Sequence, residues 1–366
     1  MCSPFPAEPI GRIVLATTAA ERGGLWKNVT DLATAFTVAG HDVYLAFPEG
    51  AVDLVRDARR LGLPFADLAR SPQLNGAVFH LHLPKPFDRR TLPLMASARL
   101  RGHRVFVTEH LARHPSSDAS VPWGPGHTPG LRKPGARYAK TLLKRTEALL
   151  AHQVIAVSEN SKQFIMRRFA LTDRKCTVVL NGIAPAEPVP LPPVQGGLRV
   201  AVVGAVTYKK GHDVLVDAAQ RSRGTWTADV YGSGDLIDQL RRRAGNRVRF
   251  HGWVDDVAER VDQHHLLCMP SRYEQLPYAV TEAMMRGRPV VATNVDGLPE
   301  AVEDGINGRL IPPDDPDALA AALDHAEQHP DTVRQWALAA HAVAVDKFAL
   351  AAMTDRILAL YTRTVA

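Results

Sequence analysis

Short continuous runs of apolar residues alternate along this chain with longer stretches in which apolar residues return every three or four positions. The first pattern suits strands buried on both faces, the second amphipathic helices. "RIVLATT" leads to "LWKNVTDLATAFTVAG", which stops at Gly40, a natural helix end, and then to "DVYLAF". Further strands are expected at "AVFHLHL", "RVFVTEH", "QVIAVS" and "CTVVLNG". The alternation then restarts with strand "GLRVAVVGAV", helix "DVLVDAAQRS", strand "TADVYG" and helix "DLIDQLRRRAG". Strands "VRFHG", "HLLCMPS", "PVVAT" and "GRLIP" follow. After Pro316 the chain is alanine-rich and helical, and "IPPDD" reads as a turn and helix cap before Ala318. Alternation of β and α through both halves predicts an α/β protein of two doubly wound parallel-sheet domains.

Two segments break the rhythm. The proline- and glycine-rich stretch 184–197, "APAEPVPLPPVQGG", cannot continue a helix or a central strand, so it marks a linker between domains. "LARHPSSDASVPWGPGHTPGLRKPG", Leu111 to Gly135, is a long loop, and loops of this length are usually functional. The helix expected after it, Tyr138 to His152, carries Lys140, Lys144 and Arg145 near one side. That side is either a solvated face or a contact with an acceptor or an anionic membrane surface.

A length of 366 residues is too great for one ordinary core and suits two α/β domains. No apolar run reaches the roughly 18 residues of a membrane span, and the N-terminus lacks the charged-then-apolar order of a signal peptide. Three scattered cysteines make neither a disulfide framework nor a zinc spacing, so a cytoplasmic setting is expected. The net charge of +6 is spread along the chain, without the motifs of a nucleic-acid binder, and fits a phosphate site better. Neither "RIVLATT" nor "RVAVVG" is followed by G-x-G-x-x-G, which argues against a dinucleotide-dependent dehydrogenase.

The chemistry concentrates in "RYEQLPYAVTEAMMRGRPVVATNVDGLPEAV". Glu274 follows a predicted strand, at the sheet edge where open α/β folds place ligands. Pro277 suits the first turn of a helix over Tyr278 to Arg286 that stops at Gly287. Backbone N–H groups in the stretch Leu276 to Ala279 would then point out of a helix start and could hold an anion. Glu282, one turn in, adds nothing to a phosphate site by its charge, but its carboxylate can accept two hydrogen bonds from neighbouring hydroxyls, as on a ribose. His80 and His82, two apart on a strand, face one side. With His110 they could hold a metal, although packing or acceptor contacts fit three histidines more readily.

The string 271–315 resembles the donor-site signature of glycosyltransferase family 4, retaining enzymes of the GT-B fold. The signature has a Glu, seven residues, a second Glu, then Ala-Met and Gly-x-Pro-Val-Val-Ala. "VAVVGAVTYKKGHDVLVDA", "VYGSGD", "VRFHGWVDDVAE", "VIAVSENSK", "VVLNGI", "GGLWKNVTDLATAFTVAGHDV", "HLHLP" and "FVTEH" fall where the family has similar strings. The resemblance implies two Rossmann-like domains facing a cleft. The N-terminal one, residues 1–183, would bind acceptor. The C-terminal one, 198–345, would bind a nucleotide sugar, and a last helix, about 346–366, would cross back.

It also implies roles. Glu282 would hold the ribose and Glu274 the donor sugar, with the backbone of Leu276, Pro277 and Tyr278 on sugar or diphosphate. Lys210 would neutralise the diphosphate beside Gly204, and His110 would face the sugar. Gly23 and Gly24 would let the first loop approach the phosphates closely. His80, His82 and His110 would line the acceptor side. No metal or other cofactor is implied. Three positions depart from the pattern. Ala205 stands where the family has an Arg, so Lys209 is the candidate second cation. Gln275 replaces a common glycine, and Asp296 stands where a Gly-Gly pair usually begins.

The function this implies is transfer of a sugar from a UDP- or GDP-sugar. A small polar antibiotic-type or aminocyclitol acceptor in a bacterium is preferred, and a cell-envelope lipid or polysaccharide acceptor is the rival. A nucleotide-sugar binder with little turnover and a GT-B sugar-nucleotide epimerase are further alternatives.

Overall fold

The computed structural model describes residues 10–76, 78–111, 136–193 and 196–363, with side chains from 138 in the third stretch. Leu111's successors through Gly135, Trp123 among them, and Cys2 lie outside the described residues. The chain forms two compact units. The first contains the described residues up to Ala184 and takes the chain back from Ala349 onward, while the second runs from Pro185 to Phe348.

The first unit is a seven-stranded sheet. Its strands are β1 (Ile13–Thr17), β2 (Val43–Phe47), β3 (Phe65–Asp67), β4 (Val78–Leu83), β5 (Arg104–Glu109), β6 (Gln153–Ala156) and β7 (Cys176–Val178). They are all parallel, in the order β3-β2-β1-β4-β5-β6-β7. Alternate residues feed two apolar layers, as the period of a strand requires. Ile13, Leu15, Val78 and Phe106 pack beneath helix Gly24–Val38 and the last helix, Leu350–Arg363. Val14, Phe79, Leu81 and Val107 pack on the opposite face with Met95, Ala148 and Ile165 from three other helices. Both faces are covered, which is why these strands are continuously apolar rather than alternating.

The second unit repeats the plan with six parallel strands: β8 (Arg199–Val203), β9 (Thr227–Tyr231), β10 (Val248–Gly252), β11 (Leu266–Met269), β12 (Val290–Thr293) and β13 (Gly308–Ile311). Their order is β10-β9-β8-β11-β12-β13. Strand order therefore reverses between β1 and β4 in one unit and between β8 and β11 in the other. Such reversals leave a crevice beyond the carboxyl ends of the two central strands.

The segment after Ala184 has no regular structure, yet it is not a free tether. The fully buried Arg288 donates from Nη1 to the Val189 carbonyl at 2.7 Å and from Nη2 to those of Pro190 at 3.2 Å and Asp262 at 2.7 Å. Asp315 caps helix Pro316–Gln328 by accepting from the Ala318 N–H at 2.9 Å, as "IPPDD" suggests. Helix Val52–Arg60 and the short edge strand β3 were not expected. A strand of three residues leaves little periodicity to read.

Candidate active site

The site in the second unit is built on its reversal point. β8 ends at Val203, and the chain turns through Gly204 into the 3-10 turn Tyr208–Lys210. Gly204 has φ +148°, and a side chain there would crowd Lys210 Cε at 3.4 Å, so glycine lets the lysine lie along the strand end. Gly211 follows with φ +65°, where a β-carbon would collide with the Pro270 carbonyl of the neighbouring β11 loop. β11 ends at Met269 and delivers Glu274 to the same place.

Glu274 is 6% exposed and lies between both lysines. Lys209 Nζ donates to Oε1 at 3.3 Å, and Lys210 Nζ pairs with Oε2. Burial opposes the charge on Glu274, but the two ammonium groups outweigh it and hold the carboxyl down at about 2. Burial also draws the Lys209 ammonium below its ordinary value, against the pull of Glu274. Asp296 also acts on Lys209, so two cations face two carboxylates and the cluster is close to neutral.

Arg272 sets the turn that aims the lysines. Its Nη1 and Nη2 grip Asp213 at 2.8 and 2.7 Å, Nε reaches Asp314 at 2.6 Å, and Nη1 also donates to the Tyr208 carbonyl at 2.6 Å. Its guanidinium lies 3.8 Å from the centre of the Tyr208 ring, and its own N–H donates to the Lys209 carbonyl at 2.8 Å. On the other side Asp296, at φ +46°, accepts from the Glu274 N–H at 2.9 Å. Asp is one of the few residues that tolerates this backbone conformation.

Helix Tyr278–Met285 starts beside Glu274, with Pro277 as its N-cap residue rather than inside the first turn as expected. Its ψ of 137° is extended, and the helix itself begins at Tyr278, where the sequence places it. Leu276 and Tyr278 are buried, and Glu282 is half-buried one turn in. The helix ends by Arg286, before Gly287 at φ +72°. Sequence reasoning thus brought Lys209, Lys210, Gly204, Glu274 and Glu282 to one corner, but it missed Arg272 and the cap from Asp296. Arg272 sits two residues before Glu274 and its partners come from two distant segments, 208–213 and Asp314, so no local signal marked it.

In the first unit Gly23 is the N-cap of helix Gly24–Val38, exposed and with open space around it. The three histidines form a row. His80 and His82 rings lie 4.2 Å apart between centres, and His82 stacks on His110 at 5.4 Å. His82 Nδ1 and His110 Nε2 share a hydrogen bond of 3.1 Å. Burial keeps the rings neutral, with His80 and His110 both down at about 3. His80 does not fit an acceptor role. It is fully buried, and its two nitrogens are taken by Tyr361 at 2.6 Å and Thr108 at 2.7 Å. His82 is also fully buried, and His110 alone of the three is partly exposed. Among the described residues no group of three or more His, Cys, Asp or Glu is arranged to hold a metal ion.

The basic helix Ala136–Leu150 also differs from its sequence pattern. Lys144 is 3% exposed, wedged between Glu109 and Glu147 (2.7 Å) and donating to the Pro86 carbonyl at 2.9 Å. It is therefore part of neither a solvated nor a membrane-facing surface. Burial lifts both carboxyls, Glu147 to about 7. The exposed side of the helix instead carries Tyr138, Leu142, Arg145 and Leu149.

Paired cations at the reversal point of one Rossmann-like unit, with a second such unit in the same chain, define the architecture of a two-domain glycosyltransferase. A family model for glycosyltransferase family 4 matches residues 22–187, and one for group 1 glycosyl transferases matches residues 197–329. The chain belongs to this glycosyltransferase family and has the GT-B fold. Alpha-maltose-1-phosphate synthase of Mycobacterium tuberculosis is 28% identical over 265 residues, 63% of this chain and 68% of that protein. Alpha-D-kanosaminyltransferase of Streptomyces kanamyceticus is 27% identical over 173 residues, 44% of this chain and 45% of that protein. Among solved structures, Anabaena HepE in complex with UDP superposes with a TM-score of 0.79 at 17% identity, over 96% of this chain and 100% of that one. Among the described residues no helix is long and apolar enough to cross a membrane.

Proposed function

We propose that the protein transfers a sugar, with retention and without a metal, from a UDP- or GDP-sugar to a small polar acceptor of the antibiotic or aminocyclitol type. The observation that carries this reading is Glu274 held ionised between Lys209 and Lys210 beside a helix start. Cleavage of the anomeric C–O bond leaves its electron pair on the diphosphate. Two lysines and the positive end of a helix are placed to stabilise that charge. The acceptor hydroxyl forms the new C–O bond, and its proton passes to an oxygen of the departing diphosphate. In the free protein Glu274 occupies the lysines. With donor bound, the lysines turn to the diphosphate and Glu274 accepts from sugar hydroxyls. Lys209 takes the part of the Arg replaced by Ala205, Glu282 binds the ribose, and His110 faces the sugar.

Thermal stabilisation by UDP, GDP, dTDP and ADP tests this on the wild type and on Glu282→Ala. A nucleotide at about a hundred times its dissociation constant adds roughly 2.7 kcal/mol. Stabilisation by one nucleoside diphosphate, mostly lost in the variant, supports the reading. Equal response in the variant, or none in either protein, refutes it.

A second reading has a lipid or polysaccharide acceptor at a membrane. It is favoured by the exposed Tyr138, Leu142 and Leu149 on one helix. Salt-sensitive sedimentation with anionic vesicles would favour it over the first.

A further inference from the structure

The loop that follows β4 borders an open hollow of about 470 Å³, lined among the described residues by Lys85, Phe87, Asp88, Arg89 and Arg90. It opens immediately beyond the carboxyl end of the strand that carries His80 and His82. That end borders the β1/β4 reversal, where an open α/β sheet places a ligand. The loop is tied in place from two sides. Lys144 donates to the Pro86 carbonyl at 2.9 Å, and Arg90 Nη2 reaches across to the Thr18 carbonyl, beyond β1, at 2.9 Å.

The charges in the wall do not cancel. Asp88 is taken by Arg90 through Nε at 3.0 Å and Nη2 at 2.6 Å, which holds its carboxyl below the usual range despite burial. Lys85 and Arg89 are exposed and, among the described residues, have no hydrogen-bond or ion-pair partner. Nearby carboxylates do not compensate, because Glu109 and Glu147 are buried against Lys144. Unpaired cations around a preformed hollow suit an anion, Arg presents a fork that matches phosphate, and Phe87 offers an apolar wall for a ring.

We propose that this cavity binds a phosphate monoester, and that the acceptor of the transfer carries one. The binding claim stands on the first unit alone, and calling the ligand an acceptor rests on the reading given under Proposed function. The same chemistry can come from a soluble sugar phosphate or from the headgroup of phosphatidic acid.

Calorimetric titration of the full chain with glucose 1-phosphate and with glucose, and sedimentation with phosphatidic acid vesicles, are compared in wild type and in Lys85→Gln/Arg89→Gln. Both side chains are exposed, and the UDP stabilisation of the double variant checks its fold. Glucose 1-phosphate is expected to bind roughly tenfold or more tightly than glucose, and the variant to lose at least that factor. Loss confined to the vesicles supports the site and assigns the phosphate to a lipid. Unchanged binding of both probes in the variant, or glucose bound as well as its phosphate, overturns the proposal. Failure of UDP to stabilise either protein would sink the donor reading and leave this result standing by itself.

Discussion

Glu147→Gln should stabilise the protein at alkaline pH and do little at acid pH. Lys144 faces two carboxylates in a pocket where all three side chains are at most 3% exposed, so one negative charge is in excess when both ionise. Burial is the largest influence on Glu147 and raises it from 4.5 to about 7, with Lys144 opposing and Glu109 reinforcing the rise. The folded protein therefore holds a proton that the unfolded chain gives up between those values. Stability is fully present below about 4.5 and drains away as pH rises through about 7. At about 1.4 kcal/mol per pH unit, that gap is worth roughly 3 kcal/mol at pH 8. Glutamine is neutral at every pH and keeps a hydrogen-bond acceptor for Lys144, while Glu109 keeps the ion pair. The assay is urea unfolding of wild type and variant at pH 5 and pH 8, following the first unit. A gain of about 2–3 kcal/mol at pH 8 that shrinks below about 1 at pH 5 is expected. A loss at pH 8 would mean that both carboxylates are ionised and both stabilise Lys144, which would refute the reasoning.

Gly211→Ala should destabilise the second unit by about 2 kcal/mol or more, read by thermal unfolding, because it combines a left-handed backbone with a collision at the Pro270 carbonyl. Arg272→Met breaks a nearly buried ion pair and frees the lysine turn. It should cost about 3 kcal/mol of stability and weaken UDP binding roughly tenfold in titration calorimetry, with both lysines still present. Glu274→Gln takes from Lys209 and Lys210 the carboxylate they share, and sugar-transfer turnover should fall at least a hundredfold while the protein stays folded by circular dichroism.

Much of the fold was legible because both faces of each sheet are covered. Strands such as "VYLAF" and "PVVAT" announce themselves as largely unbroken apolar runs. The donor corner was legible because its residues lie in two continuous strings, each at the end of a recognisable strand. What stayed hidden depends on partners far off in sequence. Charge spacing in helix Ala136–Leu150 places Lys140, Lys144 and Arg145 alike, but only Lys144 meets Glu109 from β5. His80 and His82 do share a face, as the two-residue period requires. What fills that face is Tyr361, 281 residues from His80, which consumes one ring nitrogen of His80.

The return of the chain at Ala349 bears on the order in which the protein is made. Residues 185–348 leave the ribosome as one uninterrupted stretch and hold every strand of their own sheet. The first unit is begun earlier but lacks Met353, Ile357, Leu358 and Tyr361, which cover the layer under β1, until the stretch after Phe348 is translated. The unit synthesised first is thus the last that can complete its core. During synthesis its apolar face and the two inner histidines wait uncovered for a helix encoded after the whole of the second unit.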